Sequence, residues 1–334
     1  MIARVQFSNF KALRSSSVRL EPFNLLIGPN GSGKTSLIEA LLRLRTLAGQ
    51  PSAQTPELRE PLAGGPRIEF TFTPPYEAVR VQAACAQDNL ACDTLVIAHP
   101  PGPEGAGQWE QLRERLGSIR GFLFDHSAMA QPAKRSEGRE LAANGGNLAA
   151  VLHHWQLSQP AALQRLMAEF RRLMPEFDGL EFHEVGGDRV ELHARLNGQS
   201  ITAESLSQGT LHVLAILTLS LAPNPPGIVC LEEADRGVHP RMLREIRDAL
   251  YRLSYPADCG EIRAPVQVIT TTHSPYLLDL FKDHPEEVVL ANKIGRGATF
   301  ERLSDRTDLR ELLGESSLGD LWYSGILGGT PDEA

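Results

Sequence analysis

Short apolar runs followed by polar turns occur near both ends of this chain. "FNLLI", residues 23–27, precedes a glycine-rich loop, and apolar residues then recur at helical spacing from Leu37 to Leu44. Further along, "IVCL" at 228–231 is an apolar run of strand length, and "QVIT" at 267–270 is rich in β-branched residues, which favour strands. Strands that alternate with helices in this way predict an α/β fold with a mixed or parallel core sheet flanked by helices.

The middle of the chain has a different pattern. "RIEFTFTP", "VRVQAAC" and "DTLVIAH" have the composition of strands, which predicts an antiparallel β subdomain. The stretch 146–177 has helical composition and is divided near Pro160, so two helices are expected there.

The spacing of these segments predicts how the chain is organised. No sustained heptads occur between the first helix and residue 200, which argues against a coiled-coil arm and for a compact α/β insertion. We therefore expect an N-terminal core segment at 1–75, an inserted region at 76–200 and a C-terminal core segment at 201–334.

Composition limits the function classes. The chain has 334 residues, 42% of them hydrophobic, and a formal net charge of −8. This charge argues against a surface covered with nucleic-acid-binding residues but permits a local basic patch. The N-terminus lacks the pattern of a signal peptide, and the longest apolar run, "VLAILTLSLA", is too short to cross a bilayer. A cytoplasmic protein without a membrane partner is expected.

The loop at residues 28–35, "GPNGSGKT", fits the phosphate-loop pattern GxxxxGK[ST] in full and lies between a predicted strand and a predicted helix. Glycines let backbone amides surround a phosphate, and the helix N-terminus adds partial positive charge. Lys34 is expected to reach the β- and γ-phosphates of a nucleoside triphosphate, and the Thr35 hydroxyl is expected to bind Mg²⁺. The predicted nucleotide-binding residues are Asn30, Gly31, Ser32, Gly33, Lys34, Thr35 and Ser36.

Two carboxylates follow the apolar run at 228–231. A phosphate loop needs an acidic strand end beside it, because Mg²⁺ must be held and water must be oriented or deprotonated. We assign Glu232 to the metal, through a water molecule, and Glu233 to the attacking water.

Two shorter motifs leave alternatives open. "LSQGT" at 206–210 precedes a long apolar helix, and a serine in that position is often only a helix N-cap. His273 ends the run "QVITTTH", and a single histidine at a strand end is often a structural residue. Both motifs follow a full phosphate loop, and they lie on either side of the acidic strand. Found in this order, the motifs together are more specific than any one of them alone.

The ordered set resembles the ABC-type ATPases, with Walker A at 28–35, a signature at 206–210, Walker B at 228–233 and a switch histidine at 273. Within that class the chain looks like the SMC/RecF/OLD-like branch, on the strength of its opening segment, "LEEADRGVHP" and "THSPYLLD". The resemblance implies a P-loop ATPase head that hydrolyses ATP with Mg²⁺.

The resemblance also implies a homodimer that closes head to tail around ATP. Ser207, Gln208 and Gly209 would then act in trans on the partner's nucleotide, whereas Glu233 and His273 would act in cis. The stretch 235–240 would line the dimer interface.

Some features depart from the pattern. Relatives commonly carry Asp where this chain has Glu232, which lengthens the side chain by one methylene. The glutamine loop remains unassigned among Gln50, Gln82 and Gln87. Asn9 and Lys11, in "SNFK", lie where relatives contact the base or sugar of the nucleotide.

Three functions follow from these readings. The favoured one is an ATP-driven switch in DNA repair or phage defence that acts through DNA or a separately encoded effector. The others are an ATP-gated scaffold for a protein partner and a transporter's ATP-binding subunit. About 60 residues follow His273, so we expect no nuclease domain. Two arginine groups, one near Arg135 and one near Arg244, fit ion pairs at least as well as a DNA track.

Overall fold

The structure is a computed structural model that describes residues 1–50, 65–84, 93–295 and 297–328. Its α-helices are α1 Lys34–Ala48, α2 Pro103–Gly117, α3 His126–Met129, α4 Leu148–Ser158, α5 Pro160–Leu173, α6 Gln208–Ser220, α7 Leu243–Ser254, α8 Pro275–Asp279, α9 Leu309–Glu315 and α10 Leu318–Tyr323. Its strands are β1 Ile2–Phe10, β2 Leu13–Arg19, β3 Phe23–Ile27, β4 Arg67–Phe72, β5 Arg80–Ala84, β6 Thr94–Ala98, β7 Ile119–Phe122, β8 Ala133–Lys134, β9 Phe177–Val185, β10 Arg189–Leu196, β11 Gln199–Thr202, β12 Ile228–Leu231, β13 Gln267–Thr272, β14 Val288–Ile294 and β15 Gly297–Arg302.

The chain forms two compact units. The first comprises 1–120, 226–230 and 265–334, and the second comprises 121–225 and 231–264. The chain passes between them within β7, within β12 and in two loops. Each unit combines separate stretches of the chain, and the division at residues 75 and 200 stays a prediction.

The first unit contains an antiparallel sheet with strand order β2-β1-β4-β5-β6. Buried and more exposed residues alternate along β4 and over most of β1 and β2, as expected for a sheet with one face in the core. Phe7 and Phe70 from this face share a core with Leu37, Leu41 and Leu44 of α1. The strands that the sequence predicts in "RIEFTFTP", "VRVQAAC" and "DTLVIAH" are confirmed as β4, β5 and β6.

The second sheet carries the phosphate loop. Its strand order is β15-β14-β3-β13-β12-β7, so β3 lies between β14 and β13. Both pairings of β3 are parallel, with Ile27 opposite Leu290 on one side and Thr272 on the other. Parallel neighbours end at one edge of a sheet, so the chain leaves β3 and β13 on the same side.

The second unit combines helices with short antiparallel strands. β10 pairs with β8, β9 and β11, and the helices include α4 to α7. The two helices expected around Pro160 are confirmed, because α4 ends at Ser158 and α5 begins at Pro160. Proline suits a first helical position, where its missing N–H donor is not needed. In α6, every residue from Thr210 to Ser220 is buried.

Candidate active site

The loop at 28–35 connects β3 to α1 through two residues with left-handed backbone angles. Gly31 has φ 77° and Gly33 has φ 96°, a region that only glycine adopts without strain. A Cβ at Gly28 would lie 2.2 Å from the carbonyl oxygen of Ala291, on β14. Close approach of two backbones therefore requires glycine at position 28, and this contact shapes the start of the loop.

Lys34 is folded back over the loop. Its Nζ donates hydrogen bonds to the carbonyl oxygens of Gly28, at 2.6 Å, and Pro29, at 2.9 Å. Ser32 Oγ is buried and has no hydrogen-bond partner in the structure, although buried hydroxyls normally have one. A phosphate group placed at the start of α1 would give this hydroxyl an acceptor and neutralise the lysine. The loop therefore fits a nucleotide phosphate.

The remaining predicted residues of the loop lie on its outer side. Asn30, Gly31 and Thr35 are exposed, and Ser36 is half-buried. The structure thus places all seven predicted nucleotide-binding residues in one loop and the first turn of α1. Hydroxyl and carboxylate oxygens such as those of Thr35 and Glu232 have the ligand chemistry that Mg²⁺ prefers.

His273 directly follows β13, and its backbone is adjacent to that of the phosphate loop. Thr272 is paired with Ile27, so the next residues on the two parallel strands are His273 and Gly28. The turn is held by Thr272 Oγ1, which accepts from the Ser274 amide at 2.9 Å, and by Ser274 Oγ, which caps α8. His273 is exposed, and its location at the loop agrees with a role near the terminal phosphate.

The two glutamates follow the fully buried strand β12. The Glu232 amide donates to the carbonyl oxygen of Phe122 at 2.8 Å. Glu233 has φ 53°, a left-handed conformation that costs a non-glycine residue about 1 kcal/mol. Its carboxylate lies 3.6 Å from Nε of Arg236, and its carbonyl oxygen accepts from the Arg236 amide. Glu233 thus combines a strained backbone with a cationic neighbour three residues further along the chain.

The signature serine is a helix cap in this structure. Ser207 Oγ accepts a hydrogen bond from the Thr210 amide at 3.1 Å and lies 2.7 Å from Thr210 Oγ1. Ser207 is nevertheless exposed, and it lies at the N-terminus of α6. The N-cap alternative is thus confirmed, and a role for Ser207 in trans stays a prediction.

Two contacts join the signature to the segment after Glu233, and the sequence reasoning missed both. A Cβ at Gly209 would lie 2.5 Å from the carbonyl oxygen of Gly237, and one at Gly237 would meet the side chain of Gln208. His212 Nε2 lies 3.0 Å from the carbonyl oxygen of Ala234. The only feature of the sequence that points to these contacts is Gly237 in "DRGVHP".

His212 is buried on α6, with its ring edge-on to Phe124. The pKa of His212 is lowered to about 4, chiefly by burial; the hydrogen bond to the Ala234 carbonyl oxygen opposes this shift, and the positive charge of Arg236 adds to it. A neutral ring near pH 7 donates the Nε2 proton to that carbonyl oxygen. The neutral imidazole thus links the signature helix to the residue after Glu233.

The sequence left the glutamine loop and the base- or sugar-contacting residues unassigned, and the structure shows the local contacts of several candidates. Asn9 and Lys11 both have left-handed backbone angles, and Lys11 forms an ion pair with Glu39 of α1. Gln82 donates to Glu69 on the neighbouring strand at 3.0 Å. Gln87 lies outside the described residues. None of these observations assigns the glutamine loop.

Sequence comparison gives two family matches. Residues 112–279 match the profile described as "AAA domain, putative AbiEii toxin, Type IV TA system", and residues 1–58 match "AAA ATPase domain". The chain is also 38% identical over 58 residues to the DNA replication and repair protein RecF of Geobacter metallireducens. That segment is 17% of this chain and 16% of the relative.

Structural comparison finds heads of SMC proteins. An SMC head bound to the C-terminal winged-helix domain of ScpA covers 92% of this chain and 99% of its own, with a TM-score of 0.60 and 12% identity. An SMC head with an extended coiled coil, bound to the C-terminal domain of ScpA derived from Pyrococcus furiosus, covers 94% and 99%, with a TM-score of 0.54 and 11% identity. At this identity the likeness concerns the fold alone, and it confirms the predicted α/β fold of such a head. No described helix is long and apolar enough to cross a membrane.

Proposed function

Because the chain belongs to the AAA-domain family matched over residues 112–279 and is an ATPase of the SMC/RecF-like branch, we propose that it is a molecular switch that dimerises head to tail around ATP. The switch acts in DNA repair or phage defence, through DNA or a separately encoded effector. The observation that carries the proposal is the phosphate loop, in which Lys34 and the unpartnered Ser32 hydroxyl surround a position suited to a phosphate.

The proposed reaction is hydrolysis of the bond between the β- and γ-phosphates. Lys34 binds the phosphate oxygens, and Glu233 orients a water molecule and accepts its proton as the water attacks the γ-phosphorus. His273 contacts the γ-phosphate, and ADP leaves with the bond's electron pair. Mg²⁺, held by Thr35 and through water by Glu232, would neutralise phosphate charge.

Closure of the dimer is proposed to depend on the signature. Ser207 is exposed at the N-terminus of α6, where a second molecule's nucleotide could meet its hydroxyl and the free amides of the helix. Gln208 and Gly209 are held against Gly237, so the segment after Glu233 is coupled to the same surface. ATP would thus act as the contact between two copies, and its hydrolysis would separate them.

Trapping the closed state tests this proposal. We expect Glu233→Gln to bind ATP without hydrolysing it, because the amide keeps the shape of the side chain but cannot accept the proton. Light scattering should then give twice the monomer mass with Mg-ATP and the monomer mass without it. Lys34→Ala is the control, since it should remain monomeric in both conditions. If Glu233→Gln hydrolysed ATP at the wild-type rate, Glu233 would not be the group that accepts the proton of the attacking water.

A protein-gating role is the second candidate, and exposed aromatic side chains favour it. Tyr276 lies on α8, three residues after His273, and is 61% exposed, and Tyr323 on the adjoining α10 is 88% exposed. Such side chains are enriched at protein interfaces. Stimulation of ATP hydrolysis by duplex DNA would favour the first candidate, whereas stimulation by a co-encoded protein alone would favour the second.

A further inference from the structure

The solvent face of the antiparallel sheet in the first unit carries a row of arginines. Arg19 on β2 is paired with Arg4 on β1, which is paired with Thr71 on β4, which is paired with Arg80 on β5. Directly paired residues share a face, so these four side chains form one line across four strands. We call Arg4, Arg19 and Arg80 the arginine row.

The neighbouring positions on this face are small or polar. The same pairing brings together Gln6, Ser17, Glu69 and Gln82 in the next row, and Ser8, Ser15 and Arg67 in the row after it. Glu69 is the acid in these rows, and it accepts a hydrogen bond from Gln82. No aromatic side chain lies in these three rows, which are wholly within the described residues.

The positive charge of the row is only partly compensated inside the molecule. Arg19 lies 2.6 Å from Asp305. Arg4 and Arg80 are exposed, and the side chain of neither forms a hydrogen bond or ion pair within the described part of the chain. Like charges placed opposite each other on adjacent strands destabilise a sheet. A chain of net charge −8 thus keeps uncompensated arginines on one face, which indicates an anionic ligand.

The edge of the row borders a recess. Arg4, Ser17, Arg19 and Arg302 line a cavity of about 290 Å³ together with the acidic Glu301 and Asp305. Arg302 Nε is buried without a hydrogen-bond partner in the structure. Glu301 and Asp305 offset part of the positive charge of the recess, whereas Arg80 lies on β5 at the opposite end of the row and does not line the recess.

We propose that the arginine row binds the phosphodiester backbone of duplex DNA. Three strand spacings separate Arg19 from Arg80, about 14 Å in all, which is close to the about 12 Å width of the major groove. Long arginine side chains could therefore contact phosphates on both sides of one groove. The three described rows contain no aromatic side chain on which the bases of a single strand could stack, and this favours a duplex. The inference rests on the DNA-acting form of the proposed function and assigns its contact surface.

A charge-reversal pair tests the assignment. We expect Arg4→Glu with Arg80→Glu to weaken binding of a 30-base-pair duplex, measured by fluorescence anisotropy at several KCl concentrations. Loss of two phosphate contacts should lower affinity on the order of 50-fold at 0.1 M salt and reduce the salt slope by about 2. The matched control is Arg165→Glu with Arg310→Glu, which changes two exposed arginines of α5 and α9 and the net charge by the same amount.

The possible results distinguish a failure of the arginine row from a failure of the DNA-acting function. Equal affinities of the two double variants would overturn the arginine row while leaving DNA binding intact. Tighter binding of the wild type to oligo(dT) or to duplex RNA than to duplex DNA would overturn the choice of ligand. Absence of duplex binding by the wild type in every nucleotide state would overturn both the row and the DNA role, while DNA-independent hydrolysis would still support the ATPase. Unchanged basal hydrolysis in the charge-reversal pair would show that it is folded.

Discussion

The phosphate loop and the signature junction are built in different ways. The loop is shaped by backbone contacts, with Gly28 against Ala291 and the carbonyl oxygens of Gly28 and Pro29 around the Lys34 ammonium. The junction of α6 with residues 234–237 depends on a buried side chain, His212, and on a close approach of two glycines. A backbone site is complete in one short motif, whereas the junction couples two distant segments and can transmit a change between them.

The comparison predicts different failures in the two regions. Damage to the loop should remove nucleotide binding from the molecule that carries it. Damage to the signature should affect the nucleotide bound by the partner, if the two copies share their sites.

Mixing two inactive variants should produce the largest effect. We expect Lys34→Ala and Ser207→Arg each to hydrolyse ATP at less than about 1% of the wild-type rate. An equal mixture should recover about a quarter, because half of the dimers are mixed and each of these keeps one intact site. Steady-state phosphate release measures the recovery.

The control for this mixture removes a comparable helix cap elsewhere. Ser317 caps α10 as Ser207 caps α6, so Ser317→Arg should lose the cap but keep hydrolysis. No recovery in the mixture of Lys34→Ala and Ser207→Arg would place both groups in one polypeptide and contradict the head-to-tail arrangement.

A methyl group in the loop should have the next largest effect. Gly28→Ala would put a Cβ 2.2 Å from the Ala291 carbonyl oxygen, so we expect a loss of about 3 kcal/mol in the free energy of unfolding. Gly107→Ala is the matched control in α2, where the added Cβ meets no atom within 4 Å and should stabilise by about 0.5 to 1 kcal/mol. Urea titrations compare the two variants, and equal effects would show that β14 does not constrain the loop.

Lowering the pH should have a smaller effect on the free energy of unfolding, through His212 at the junction. The pKa of His212 is lowered to about 4 in the folded state, so the unfolded chain takes up the proton first as the pH falls. Stability is therefore lost between the ordinary histidine pKa of about 6.5 and about 4, with a cost of about 2 kcal/mol from pH 7 to pH 5.

His212→Gln keeps an N–H donor but does not titrate. We expect the wild type to lose about 2 kcal/mol more than this variant between pH 7 and pH 5 in urea titrations. Parallel losses in the two proteins would show that His212 is not the group that carries the acid sensitivity.

Much of the loop could be predicted from its sequence because the information is local. A full phosphate-loop pattern between a strand and a helix predicts the conformation of residues 28–35, and the break near Pro160 predicts two helices. The contacts of Ala291 with Gly28 and of His212 with Ala234 have no such signal. They join residues far apart in the chain, and only the tertiary fold brings them together.

The arginine row illustrates the same limit on a surface. In the sequence, Arg4, Arg19 and Arg80 are isolated charges in alternating strands, each typical of a solvated position. Their alignment depends on the registers of three strand pairs, which hydrophobic alternation restricts but does not assign. The clusters near Arg135 and Arg244 are conspicuous because their members are close together in the sequence, yet Arg135 forms an ion pair with Glu184.

The left-handed backbone at Glu233 has a consequence for how this position can change over generations. The conformation favours Gly or Asn, so substitutions to these residues should relieve strain and make the fold more durable. The proposed chemistry favours a carboxylate at the same place. Selection for stability and selection for turnover thus act in opposite directions on a single codon, and an inactive descendant of this protein could be the more robust one.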